Sequence, residues 1–195
     1  MEDILQKAAA NQRVAREIIE NTGVERIWKS IGAEPNLVGS LRMGLLMTHR
    51  DVDLHIYSDH LDPAESFAAM ALLAADPRIR RIEYTNLIET EERCLEWHAW
   101  YEHTDGNTWQ LDMIHIERGS RYDGYFENVA DRIVSVLTPE ITLAILTLKN
   151  DTPETEKIAG IEYYQAVIRD GIRGYADFAR WRKEHPLTGI AHWVP

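Results

Sequence analysis

The sequence has a single cysteine, Cys94, in 195 residues. One thiol excludes an intramolecular disulfide framework and a cysteine-rich zinc module, and it suits a reducing compartment. Basic residues are also scarce: 21 Lys and Arg stand against 32 Asp and Glu, for a net charge of −11. Nucleic-acid binding through phosphate contacts draws on clustered Lys and Arg, so a stable nucleic-acid complex is disfavoured. No run approaches the roughly 18 apolar residues that span a bilayer. The opening Met-Glu-Asp-Ile-Leu lacks the basic region and apolar core of a secretory leader. A cytoplasmic protein with no membrane association is expected. There is no internal repeat, low-complexity stretch or long Pro/Gly/Ser linker. What is present is the mix of a folded domain, with 45% hydrophobic and 27% charged residues, which argues against chain-wide disorder.

Periodicity divides the chain. Ile4, Leu5, Ala8, Ala15, Ile18 and Ile19 recur at spacings of three and four, which predicts a helix over the first twenty residues, stopped at Gly23. Its modest apolar side reads as core packing rather than a membrane anchor. A short helix over Val24–Ile31, a strand at Asn36–Val38 and a helix over residues 41–47 follow. Asp51 to Tyr57 alternates with period two, placing Val52, Leu54 and Ile56 on one face and Asp51, Asp53, His55 and Tyr57 on the other. Asp62-Pro63-Ala64-Glu65 is a helix start, and that helix should stop before Pro77. Ile79–Tyr84 reads as a strand. Residues 93–103 and 107–117 read as a hairpin around Asp105-Gly106. Beyond residue 120 the chain reads helical, with starts at Thr138-Pro139 and Thr152-Pro153, breaks at Gly171 and Gly174, and a last short helix from Ala176 ending by Pro186. This predicts an α/β (α+β) domain over 1–137 and a small C-terminal helical bundle over 138–195.

The chemistry concentrates between residues 38 and 53. Asp51 and Asp53, two apart on a strand, point the same way. Like charges on a half-buried strand destabilise unless a cation compensates them. Two carboxylates aimed at one point form a hard oxygen site for Mg²⁺, with Mn²⁺ as the alternative. Upstream, Gly39-Ser40 sits between a strand and a predicted helix. Glycine lets backbone approach a ligand closely, and the following amides and the serine hydroxyl can hold phosphate oxygens. A phosphate cradle just ahead of a metal pair describes a site for a metal-bound nucleoside triphosphate.

Gly39-Ser40, ten residues, then Asp51-Val52-Asp53-Leu54 resembles the hallmark of the DNA polymerase β-like nucleotidyltransferase superfamily. The Gly-Ser-Leu-Arg-Met-Gly stretch looks most like its small bacterial antibiotic-type and minimal members. The resemblance covers roughly residues 25–117. It implies a nucleotidyltransferase-like mixed sheet flanked by helices. It implies a third carboxylate on a later strand, which Asp112 in Thr108–Ile116 matches. It further implies two Mg²⁺ ions held by Asp51, Asp53 and Asp112, phosphates held by Ser40 and nearby amides, and added charge from Arg42. The implied activity is transfer of a nucleoside monophosphate, AMP from ATP, to a hydroxyl-bearing acceptor with release of pyrophosphate. Aminoglycoside-like polycations would suit the acidic chain. Two other readings are a protein AMP-transferase acting on a partner and a nucleotide-binding regulator without turnover.

Among the remaining candidates, Lys149 and Lys157 are the basic groups best suited to a triphosphate, and Lys149 is taken as a binding residue. Glu162, Tyr163 and Tyr164 could face the acceptor, with surface and core roles equally open. His55 shares the acidic face and reads as cleft-lining; His49 and Arg50 read as a loop end. His115 falls on the face opposite Asp112. His98 and His103 read as surface residues. Trp97, Trp100 and Trp109 read as cross-strand packing, with one of them able to stack on a ligand.

Overall fold

A computed structural model describes residues 2–195, and Met1 lies outside the described residues. The elements run α1 (Glu2–Thr22), α2 (Val24–Ser30), β1 (Glu34–Leu37), α3 (Gly39–Arg42), β2 (Asp51–Ser58), α4 (Pro63–Leu73), β3 (Ile79–Asn86), β4 (Cys94–Glu102) and β5 (Thr108–Glu117). Four further α-helices follow: α5 (Tyr125–Val136), α6 (Pro139–Asp151), α7 (Gly160–Tyr164) and α8 (Tyr175–Glu184), with a π-helical turn at Gln165–Arg169. Local chemistry sets the starts. Asp62 accepts from the Ala64 amide at 2.8 Å and Thr138 from that of Ile141 at 3.2 Å, each with proline at the first helical position.

Among the described residues the sheet has five strands in the order β1-β2-β5-β4-β3. β2 and β5 are parallel, and the other pairs are antiparallel. This is the expected mixed sheet flanked by helices. One face carries Val52, Leu54, Leu111, Met113, Trp97 and Trp109, buried against α1, α2 and α4. Trp28 fills the centre of that core. It is fully buried, its Nε1 reaches Met113 Sδ at 3.4 Å, and its ring meets His115 edge-on. His115 sits inside, between Ser58 at 2.7 Å and Ser66 at 3.2 Å, on the face opposite Asp112 as expected. A second core gathers α5 to α8, and it also takes in Met43 and Leu45. Ala130 and Ile133, upstream of residue 137, belong to this second core. Among the described residues no helix is long and apolar enough to cross a membrane.

Two expectations are corrected. The helix predicted over 41–47 is one turn at Gly39–Arg42. Gly44, at φ +70, ends it with bonds from Gly44 N to Leu41 O and from Leu45 N to Ser40 O. Leu45–Met47 then runs irregularly. Its carbonyls, with that of Gly44, are taken by Asn11, Gln12 and Lys149, so buried backbone is satisfied by side chains. The helix predicted from Pro153 starts instead at Gly160. Thr152 caps the end of α6: its hydroxyl donates to Leu148 O and accepts from Tyr163 OH, both at 2.8 Å.

Trp28→Ala should lower stability by about 3–5 kcal/mol, read as a lower denaturant midpoint with an unchanged slope.

Candidate active site

The parallel register of β2 and β5 sets Asp53 beside Asp112 and Asp51 beside Gln110. Strand alternation turns Asp51, Asp53 and Asp112 to the face away from the Trp28 core. One carboxylate oxygen of each lies within 4.8 Å of the others. Asp51 and Asp53 both have their carboxyls raised above the usual range. Burial pushes the Asp53 carboxyl well above the usual range, and the charges of Asp51 and Asp112 push it further; burial also raises Asp51.

Three groups oppose that penalty. The Lys149 charge lowers both Asp51 and Asp53, the His49 charge lowers Asp51, and the Ser40 backbone amide lowers Asp53. Gly39, at φ +64, makes the approach sterically feasible, since a Cβ there would overlap Asp53 Oδ2. The glycine therefore serves the carboxylate as well as any ligand. Lys149 is buried beneath this arrangement. Its ammonium donates to Ser40 Oγ at 2.8 Å, Leu45 O at 3.0 Å and Tyr164 OH at 3.2 Å, which uses all three of its donors.

No protein-family model matches the sequence, and no curated protein matches it significantly. Solved structures do. Cid1, an RNA terminal uridylyl transferase, superposes with a TM-score of 0.55 at 16% identity over 80% of this chain and 46% of that chain. A cytoplasmic RNA terminal U-transferase gives 0.53 at 15% identity over 85% and 51%. Cid1 poly(U) polymerase with MgGTP bound gives 0.51 at 16% over 86% and 50%. The chain has the nucleotidyltransferase fold. It spans about half the length of these proteins.

Two cavities flank the carboxylates of this nucleotidyltransferase fold, and Asp51 lines both. One, of about 460 Å³, runs from Gly39, Ser40 and Asp53 along Phe126, Ile161 and Tyr164. His55 lines it as expected. Its ring packs edge-on against Phe126, its Nδ1 has no hydrogen-bond partner among the described residues, and burial lowers its pKa to about 4. The other, of about 580 Å³, is bounded by Asp112, Trp100, His49, Arg50, Glu154 and Lys157. Trp97 and Trp109 lie in the core as packing residues, while Trp100 faces this cavity with Arg81 stacked on its ring at 4.2 Å.

Arg42 is not brought to the carboxylates. Its guanidinium is committed to Asp131 at 2.8 Å and to Leu37 O at 3.3 Å, and it lines neither cavity. Glu162 is engaged by Arg182 and the Ala159 amide, and Tyr163 by Thr152. His98, expected at the surface, is half-buried with its Nδ1 against Asp112 Oδ1. The signal was available: arms that end at residues 103 and 107 pair 98 with 112 when counted outward, as the register does.

Between the ordinary carboxylate range and the raised values of Asp51 and Asp53, the folded state without metal binds more protons than the unfolded chain. Stability in EDTA should therefore fall as the pH rises through that window. Asp53→Asn should flatten the fall and raise the denaturant midpoint above wild type near neutral pH, checked by unfolding from about pH 5 to about pH 8. Gly39→Ala should destabilise by about 1–3 kcal/mol, measured in the same way.

Proposed function

We propose that this protein is a metal-dependent nucleotidyltransferase that moves AMP from ATP to a hydroxyl of a small-molecule acceptor. The observation that carries the reading is the convergence of Asp51, Asp53 and Asp112 beside Gly39-Ser40, between two cavities. The donor set fits Mg²⁺, with Mn²⁺ as the alternative: three hard oxygens lie within reach of one ion, and Asp53 is destabilised as an anion by burial and then by Asp51 and Asp112. Two bound Mg²⁺ ions would stabilise the attacking and leaving oxygens of an in-line displacement at phosphorus.

The chain's own residues do the rest. Asp51, Asp53 and Asp112 would hold the metals, with Asp53 lining the Ser40 cavity, Asp112 the Trp100 cavity and Asp51 both. The aromatic cavity along Gly39 and Ser40 takes the nucleoside of the donor, in the size range of small-molecule pockets. Ser40, fixed by Lys149 and Tyr164, presents its hydroxyl to the phosphates. Arg50 and Lys157 line the other cavity, on the Trp100 side, with no carboxylate in ion-pair distance among the described residues. Asp51 lines both cavities, and the two cations would neutralise the triphosphate tail and the departing pyrophosphate where these pass from one cavity to the other. The acceptor enters against Trp100 with its hydroxyl at Asp112. On this side Glu154, which is not assigned to the metals, is the acidic group that would meet an ammonium of an aminoglycoside-like acceptor. The buried thiol of Cys94 is compatible with the cytoplasm as the compartment.

The solved neighbours named above are RNA terminal transferases. The net charge of −11 supports a small acceptor here instead. The test supplies each of the four NTPs, labelled at the α-phosphate, with Mg²⁺ and an aminoglycoside panel, an RNA oligonucleotide or a protein lysate. Label from ATP should appear on a small molecule, and Asp51→Asn or Asp112→Asn should reduce it by about 10²–10³-fold or more. Label on RNA or on one protein overturns the acceptor assignment, and a preference for another NTP overturns the choice of ATP. Absence of Mg²⁺-dependent binding of every NTP overturns the enzyme itself.

A further inference from the structure

We infer that His98 is a positioning residue that fixes which oxygen of Asp112 faces the bound ligands. The inference rests on the reading that the three aspartates hold divalent metal. His98 lies opposite Asp112 in the β4–β5 ladder, on the same face. Its Nδ1 donates to Asp112 Oδ1. Gln110, two residues before Asp112 on β5, donates its Nε2 to the same oxygen at 2.6 Å. The two lone pairs of Oδ1 are then used, and Oδ2 is left as the ligand oxygen.

The far end of the imidazole faces a second carboxylate: Glu96, two residues away on the same face of β4, has Oε1 at 3.1 Å from His98 Nε2. The ring thus lies along the sheet surface between two carboxylates, and its bond to Oδ1 opposes rotation of the Asp112 carboxylate about its own bond. A hydrogen-bonded carboxylate ligand is held in one orientation, and loss of such a partner typically weakens metal binding by about 10–100-fold. Gln110 remains when His98 is lost, so the effect is a weakening rather than an abolition.

Geometry separates this role from simple packing. An asparagine at position 98 offers an amide donor where Nδ1 stands, whereas a glutamine offers one where Nε2 stands, beyond Asp112. The experiment titrates Mn²⁺ into wild type and Asp51→Asn, His98→Ala, His98→Asn and His98→Gln variants, with free Mn²⁺ read by electron paramagnetic resonance. Thermal unfolding in EDTA follows each fold. Wild type should bind and Asp51→Asn should not. His98→Ala and His98→Gln should bind about 10–100-fold more weakly, and His98→Asn should stay close to wild type, all with similar unfolding temperatures in EDTA. His98→Ala binding as wild type does overturns the inference and leaves the metal reading intact. If His98→Ala fails to fold, equal affinities of His98→Asn and His98→Gln overturn it. Wild type that binds no Mn²⁺, or binds it equally after Asp51→Asn, overturns the metal reading and this inference with it.

Discussion

Three carboxylates held within 4.8 Å of one another are the constraint around which the centre of this molecule is arranged. Like charges at that separation on partly buried strands oppose folding. The chain answers with groups from separate segments. Gly39 clears the space for Asp53, the neighbouring Ser40 amide lowers its carboxyl, and Lys149 brings a buried positive charge from α6. His98 and Gln110 hold Asp112 from the other side. The compensation is partial, since Asp53 stays well above the usual carboxylate range. The divalent cation proposed for the site would remove the remaining penalty, which would link the stability of the fold to its occupancy.

Lys149 connects this site to the packing. The same ammonium that faces Ser40 also bonds Leu45 O, in the irregular stretch after α3. Leu45 is buried in the helical core, Leu46 in the sheet core, and Met47 against Ala8 and Leu146. One short segment, its carbonyls satisfied by Asn11, Gln12 and Lys149, therefore anchors three hydrophobic clusters. The two cavities open beside the sheet, one walled by α5 and α7 and the other by the α6–α7 connection. That arrangement would give the proposed donor and acceptor separate approaches to a shared row of oxygens.

Alternation and capping made much of this legible. Period two over Asp51–Tyr57 assigned the strand and its acidic face, and the strand places Asp51, Asp53 and His55 as read. Proline after a capping residue marked α4 and α6. The same Thr-Pro signal misplaced α7, because the Thr152 hydroxyl is consumed by Leu148 O and Tyr163. Residues 41–47 were apolar enough to suggest a helix, yet Gly44 takes a left-handed turn and three side chains from elsewhere satisfy the carbonyls beyond it. Arg42 carries charge close to the Gly-Ser pair, but Asp131 on α5 takes its guanidinium.

The sequence by itself determined the local terms: strand alternation, helix starts, the order and spacing of Gly39, Ser40, Asp51 and Asp53, and a candidate third acid. These depend on backbone periodicity and on side chains a few residues apart, so they are written in neighbouring letters. Only the tertiary structure decided which distant groups complete the site. Lys149 stands 109 residues from Ser40 and reaches it across the join of two cores. His98 meets Asp112 through hairpin register, and Arg50 and Lys157 are left to line a cavity by how the α6–α7 connection folds back. The hairpin pairing follows from counting outward from its turn once the arms are placed; the Lys149, Arg50 and Lys157 placements are selected by burial and charge compensation over the whole chain, and no local pattern encodes them.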